Sequence, residues 1–170
     1  MTTLSAVTSK PRSEASSKAR AVLGVGFVAG SLDILTAIGV YSGLLGRVSP
    51  VQLLQSVAAG LLGNAAFQGG TATALLGLAC HYAIALSFAA VYVWAYPRID
   101  FLRRRSLISG ISYGALAWLL MNLVVVPLSR ATQPPFTLQG TAMGLAIVVL
   151  MVGMPIALLV PRYYAAGKHQ

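Results

Sequence analysis

Four long stretches of the chain are almost entirely apolar, and short polar segments separate them. Each stretch approaches or exceeds the roughly 20 helical residues that cross the ~30 Å hydrocarbon core of a bilayer. Lipid offers no hydrogen-bond partners to an exposed backbone, so a single spanning stretch has to be a helix. The pattern therefore predicts an all-α, polytopic membrane protein with transmembrane helices at 21–45, 71–96, 107–128 and 138–160.

A fifth apolar segment, at 50–66, is too short and too interrupted to be another crossing. Ser49 is a good N-cap residue and Pro50 suits the first helical position, so we expect a helix to begin here. This uncharged helix either lies in the outer membrane interface or enters the membrane as a re-entrant half-helix. Re-entry would bear on function, because irregular backbone at membrane depth is tolerated only inside protein or beside a water-filled cavity.

The two ends of the chain differ from the predicted transmembrane domain at 21–163. Residues 1–20 are rich in serine, threonine and charge and have no apolar period, which predicts a disordered cytoplasmic tail. The apolar stretch that follows is longer than a signal-peptide core, so we expect it to be a retained first helix. Residues 164–170 form a second, short cytoplasmic tail in this interpretation.

Composition supports the membrane assignment and changes the meaning of the net charge. Hydrophobic residues make up 57% of the chain and charged residues only 9%, whereas soluble domains have about 45–50% and 25%. A formal charge of +9 on a soluble protein would favour a nucleic-acid partner. Here ten basic residues fall on one side of the predicted spans and two on the other, which is the positive-inside bias. We therefore expect a membrane protein with both termini in the cytoplasm, surrounded by lipid and without a nucleic-acid partner.

Asp33 is the only acidic residue inside a predicted span, and His81 is the only histidine inside one. Counting about 1.5 Å per helical residue from the outer helix ends places the two at a similar depth. A charged group at that depth is costly unless it pairs or reaches water. The pair is either a proton-titrating or cation-binding centre beside a cavity, or a hydrogen-bonded contact that only fixes helix register.

Further polar residues extend this candidate site. Asn122 lies in the third span, and its uncharged amide favours a role in helix packing. Tyr82 follows His81 and is a further candidate for a polar track through the bundle. Pro155, in the fourth span, removes a backbone hydrogen bond and predicts a kink there, which is either a hinge or a bend absorbed by packing.

Glycines four residues apart recur inside the predicted spans. This spacing lets helix backbones approach closely, which matters because lipid gives helices no hydrophobic reason to associate. The contacts so made are either within one chain or with a second copy or another membrane protein. The pairs with this spacing are Gly26 and Gly30, Gly39 and Gly43, Gly110 and Gly114, and Gly140 and Gly144.

Motifs for other chemistry are missing from the sequence. Cys80 and His81 are adjacent, but no second cysteine or nearby histidine completes a zinc-ligand spacing. There is no phosphate-binding loop, dinucleotide fingerprint or hydrolase motif. We therefore expect neither an enzyme nor a metal or cofactor site.

Several of these segments together resemble a group of small bacterial inner-membrane proteins similar to the YagU-type proteins. The segments are GSLDILTA, QSVAAGLLGNAAFQGG, GLACHYAIALSFAAVY, SYGALAWLLMNLVVVPLS and VGMPIAL, and the likeness covers residues 24–160. The resemblance implies a four-span membrane protein and transfers no substrate, cofactor or catalytic residue.

The functional hypothesis from the sequence is a small channel or transporter for protons, cations or small solutes, with Asp33 and His81 at its centre. The alternative is a non-catalytic structural or accessory subunit of a membrane complex, whose polar residues serve packing.

Overall fold

A computed structural model of the 170-residue chain describes residues 10–132 and 137–166. Every regular element in these two ranges is helical. The α-helices are α1 (Lys10–Ala37), α2 (Pro50–Leu62), α3 (Gly70–Ala95), α4 (Asp100–Arg104), α5 (Ser106–Leu120), α6 (Val126–Leu128), α7 (Leu138–Val148) and α8 (Met154–Ala166).

Four helical runs in the described residues are long and apolar enough to cross a membrane, by length and composition. We call them span 1 (Ala15–Leu44), span 2 (Gly70–Ala95), span 3 (Ser106–Leu128) and span 4 (Leu138–Ala165). The prediction of an all-α chain with four such helices is confirmed, and the bounds of spans 2 and 3 agree with it within one residue.

The predicted disorder of the N-terminal tail is wrong where the structure describes that segment. α1 begins at Lys10, so residues 10–20 are helical and not disordered. Once the apolar helix exists, each further residue adds a hydrogen bond without a new nucleation cost, and alanine and lysine favour this extension. α8 likewise continues to Ala166, past the predicted end of the fourth span at 160. Residues 1–9 and 167–170 lie outside the described part of the chain.

The additional helix predicted at 50–66 forms as α2 and ends at Leu62, and a 3-10 helix continues to Gln68. The Ser49 hydroxyl accepts from the Gln52 backbone N–H, and the Gln52 side chain accepts from the Ser49 N–H, which completes a capping box. Leu54 packs directly on Gly77 of span 2. Whether this helix is interfacial or re-entrant stays a prediction.

The four spans alternate in direction, so the start of span 1, the end of span 2, the start of span 3 and the end of span 4 lie together. Two hydrogen bonds show this: Tyr164 Oη donates to the Val93 carbonyl at 2.8 Å, and Tyr92 Oη lies 2.9 Å from Ser109 Oγ. We call this the basic end and the other the cavity end. The described basic residues near the basic end are Lys18, Arg20, Arg98, Arg103, Arg104, Arg105 and Arg162.

Two glycine pairs lie at close helix contacts, one between spans 1 and 2 and one between spans 3 and 4. A Cβ on Gly26 would lie 3.0 Å from the Leu86 Cα of span 2, and one on Gly30 would meet Ala85 at 3.0 Å. A Cβ on Gly114 would lie 2.6 Å from the Val149 Cα of span 4. Spans 1 and 2 therefore approach each other backbone to backbone at Gly26, and spans 3 and 4 do so at Gly114.

Three of the spans contain a π-helical segment, in which the backbone winds more widely. These are Ile38–Leu44 in span 1, Met121–Val125 in span 3 and Val149–Gly153 in span 4. In spans 3 and 4 the segment comes just before a proline, Pro127 or Pro155. Neither proline can donate to the carbonyl four residues earlier, and the preceding turn widens where that bond is missing. Span 2 is α-helical throughout.

The main hydrophobic core lies toward the basic end. Val25, Tyr92, Ile156 and Val160 are fully buried there, and they come from spans 1, 2 and 4. Tyr113 of span 3 joins this core, with its hydroxyl donating to the Phe88 carbonyl at 2.6 Å and its ring 4.9 Å from that of Tyr92. The bundle is thus closely packed in this half.

Candidate functional site

A cavity of about 580 Å³ lies in the other half of the bundle, between spans 1, 3 and 4. Asp33 and Val148 line its inner part, while Arg47 and Thr137 line it at the cavity end. None of the lining residues belongs to span 2. At about 1.5 Å per residue, the cavity follows span 1 for more than 15 Å from Asp33 toward Arg47. Its volume falls in the range of small-molecule sites, about 300–1,000 Å³.

Asp33 faces this cavity because of its position on span 1. Residues spaced four apart share one helix face, and Asp33, Ala37 and Tyr41 all line the cavity. Within the described residues, the Asp33 carboxylate takes part in no hydrogen bond or ion pair, and neither oxygen is fully enclosed. The one acidic side chain of the described spans therefore points into the cavity without a hydrogen-bond or ion-pair partner.

Asn122 lines the same cavity from the π-helical segment of span 3. Its side-chain Nδ2 donates to the Trp118 carbonyl one turn earlier, at 2.9 Å. This bond fixes the amide and leaves the side-chain oxygen as the acceptor available to the cavity. Thr141 of span 4 also lines the cavity. Together with the Asp33 carboxylate, these groups place a few separate acceptor oxygens along the wall, among alanine, valine, isoleucine and glycine residues.

Two aromatic side chains that line the cavity extend toward Gly144 of span 4. The indole Nε1 of Trp118 lies 3.1 Å, and the Tyr41 hydroxyl 3.9 Å, from the point where a Gly144 Cβ would be. The Trp118 indole N–H and the Tyr41 hydroxyl have no hydrogen-bond partner among the described residues. Gly144 thus makes room for both rings, and does not pack one helix backbone on another as its spacing predicts.

His81 belongs to span 2, contacts span 1 and does not line the cavity. Its Nε2 is 2.8 Å from the Gly30 carbonyl, one helical turn before Asp33. The imidazole is near enough to Asp33 to act on it electrostatically. No hydrogen bond or ion pair joins the two side chains in the described part of the chain. Asp33 and His81 therefore lie at a similar depth, but the imidazole hydrogen-bonds to the backbone of span 1 and not to the carboxylate.

Tyr82 also belongs to the contact between spans 1 and 2. Its hydroxyl lies 2.8 Å from Ser31 Oγ, and its ring stacks on Phe27 at a centroid distance of 5.3 Å. The predicted site residues thus form two groups. Asp33 and Asn122 line the cavity, whereas His81 and Tyr82 bind one span to another.

Gly110 and Gly140 also differ in their surroundings, because one lies at a helix contact and the other lines the cavity. Gly110 packs on Ala157 of span 4, with 3.1 Å between the two β-positions. Gly140 lines the cavity, and a Cβ there would meet only Thr137 of its own helix within 4 Å, so it makes no close helix contact. Between residues 10–132 and 137–166, no group of three or more His, Cys, Asp or Glu side chains is arranged to hold a metal ion.

The sequence argument missed Tyr41, Trp118, Thr141 and Arg47 as cavity residues. For Tyr41 a signal existed, since it lies eight residues after Asp33 and so on the same helix face. The other three come from a different span or loop. Their position depends on how the helices are rotated against each other, which apolar sequences do not reveal.

Comparison of the chain with protein families, with curated proteins and with solved structures finds no match. The resemblance to the YagU-type group stays a prediction. Function has to be argued from the geometry of the cavity and of the spans around it.

Proposed function

We propose that the protein is a small channel or transporter of the bacterial inner membrane, and that it passes protons, cations or small solutes by way of Asp33. In this proposal both termini are cytoplasmic, because the basic end carries most of the positive charge. The cavity then opens toward the periplasm. The protein acts without catalysis, cofactor or metal.

The observation that carries the proposal is the carboxylate of Asp33, which lines a cavity of the bundle and takes part in no hydrogen bond or ion pair among the described residues. An acid used only for helix packing would be expected to hold a donor on a neighbouring helix, since an unpaired charge among apolar spans is costly. Asp33 instead lies where water and solutes from the cavity end can reach it. Intramembrane acids in such positions mark ion and proton pathways.

The shape of the three spans around the cavity supports movement there. Spans 1, 3 and 4 each line the cavity and each contain a π-helical segment, whereas span 2 does neither. π-Helical turns are rare and occur often at functional sites, because they free backbone groups and weaken the helix locally. We expect these segments to bend when the cavity changes shape.

The basic end supports a cycle in which access alternates. The buried Tyr92 and the tyrosines around it lie between the inner part of the cavity and that end of the bundle. Passage across the membrane requires this packing to open, and we expect it to do so while the cavity end closes.

Flux measurements in liposomes test the proposal. Wild-type protein is expected to carry a proton current down a pH gradient, or an alkali-cation current down a gradient of that cation, and Asp33→Asn is expected to reduce the current at least tenfold. Asp100→Asn is the matched control, because Asp100 is an exposed acid of the short helix α4 and its partner is Arg103. Equal flux in wild type and Asp33→Asn, or no flux in either, would refute the proposal.

A second candidate function is a structural or accessory subunit of a membrane complex. It is favoured by His81 and Tyr82, whose side chains bind span 1 and not the cavity. In that case Asp33→Asn would alter stability or co-purifying partners and leave transport unaffected. Co-purification from native membranes, done beside the flux assay, separates the two functions.

A further inference from the structure

The side chains around Asp33 define the kind of cation that the cavity fits. An inorganic cation needs several oxygen ligands to replace its water shell, commonly six or more for calcium and magnesium. The cavity offers a single carboxylate, and much of its wall is alanine, valine, isoleucine and glycine. Desolvating a compact ion there would leave it under-coordinated. A cation whose charge lies on an organic body loses less on leaving water.

The aromatic pair supplies the second feature. Tyr41 and Trp118 approach the same point of span 4 from spans 1 and 3, so their rings border one part of the cavity. Aromatic side chains offer large apolar contact areas, and they favour stacked or edge-to-face contacts with other aromatic rings. The indole N–H and the tyrosine hydroxyl further allow polar contacts at the ring edges.

Charge is also distributed unevenly along the cavity. Among the described lining residues, Asp33 is the only acidic one and lies at the inner part, while Arg47 is the only basic one and lies at the cavity end. The two are fourteen residues apart along the chain. A cationic group is therefore attracted to the inner part, and the apolar remainder of the same molecule contacts the wall between the two charges.

We propose that the cavity binds amphiphilic organic cations, with the cationic group at Asp33 and the apolar body against Tyr41 and Trp118. This deepens the proposed function and rests on it for transport, because it names the substrate class of the same site. Asn122 contributes an acceptor oxygen to ammonium donors. Gly144 is required to be small, because a larger side chain there would occupy the space between the rings.

Two probes of the same shape and opposite charge test the proposal on purified protein in detergent. Tetraphenylphosphonium is expected to bind saturably above empty micelles in equilibrium dialysis, and tetraphenylborate is not. The chain has two tryptophans, so Trp94→Phe leaves Trp118 as the only one. Tetraphenylphosphonium is expected to change the fluorescence of that variant with the same dissociation constant as in dialysis.

Variants then locate the site. Asp33→Asn is expected to raise the dissociation constant of tetraphenylphosphonium at least tenfold, because the probe has no hydrogen-bond donor and is held at Asp33 by the opposite charge alone. Asp33→Glu keeps the charge and is expected to retain saturable binding, and Asp100→Asn is expected to change nothing. Tyr41→Phe keeps the ring and is expected to bind within about threefold of wild type, whereas Tyr41→Leu weakens binding further.

Equal binding of both probes, or an Asp33→Asn dissociation constant within twofold of wild type, would overturn the substrate class. The binding assay is independent of flux, so the two proposals fail separately. Saturable, Asp33-dependent binding without any flux refutes transport and leaves the site standing. Asp33-dependent proton flux without tetraphenylphosphonium binding refutes the organic-cation site and leaves the proposed function standing.

Discussion

The contact between spans 3 and 4 makes a quantitative prediction about Gly153. This residue ends the π-helical segment of span 4, and a Cβ there would lie 2.7 Å from both Cα and N of Gly114 and closer still to the Gly110 carbonyl oxygen. All three atoms are backbone, so no side-chain rotation can relieve the clash. We therefore expect Gly153→Ala to push the two helices apart.

The size of the effect follows from the geometry. Ordinary contact begins near 3.4 Å, so the backbones have to separate by at least about 0.7 Å at this point, and by more beside the Gly110 carbonyl oxygen. A gap of that size forfeits roughly a quarter to a half of each interatomic attraction across the contact. Overpacked interiors lose about 1–3 kcal/mol in total. Against this, alanine gains up to about 1 kcal/mol over glycine in helix propensity.

Gly39→Ala separates the cost of the clash from the gain in helix propensity. Gly39 lies in the π-helical segment of span 1, and a Cβ there meets nothing within 4 Å, so it has the gain in propensity without the clash. Gly153→Ala is expected to be less stable than Gly39→Ala by about 1–3 kcal/mol. The assay is equilibrium unfolding in mixed micelles by SDS titration, followed by far-UV circular dichroism. Equal stability of the two variants would refute the close approach of spans 3 and 4.

Three further predictions concern the cavity and the contact between spans 1 and 2. Arg47→Gln is expected to strengthen tetraphenylphosphonium binding about two- to fourfold in equilibrium dialysis, because it removes a like charge roughly 20 Å from the cationic group; unchanged or weaker binding would contradict this. His81→Ala is expected to lower the free energy of unfolding by about 0.5–1.5 kcal/mol through loss of the bond to the Gly30 carbonyl. A loss above about 3 kcal/mol in SDS titration would indicate a larger role for the imidazole. Gly140→Cys, in a Cys80→Ser background, is expected to react with a membrane-impermeant maleimide. Protection of this cysteine by tetraphenylphosphonium would place the probe in the cavity. No labelling in detergent would show that the cavity is closed to water.

The order of apolar and polar residues along the chain was sufficient to predict the four long apolar helices. Spans 2 and 3 agree with the prediction because lipid-length apolar runs have only one way to satisfy their backbone hydrogen bonds. Ser49 and Pro50 likewise determine where α2 begins, since capping is a local interaction. Residues 10–20 were predicted wrongly because polar composition does not stop a helix that a neighbouring apolar segment has already nucleated.

The sequence also determined that Asp33 is the residue around which function is best sought, because it is the only acid within the apolar spans. Only the tertiary structure decided what surrounds it. The rotation of each span placed Tyr41, Trp118 and Asn122 with Asp33 in one cavity and turned His81 toward the Gly30 carbonyl. Apolar helices carry little record of which face meets which neighbour, since lipid and protein interior are equally apolar. That choice is made by close contacts between small residues, which exist only once the helices have packed.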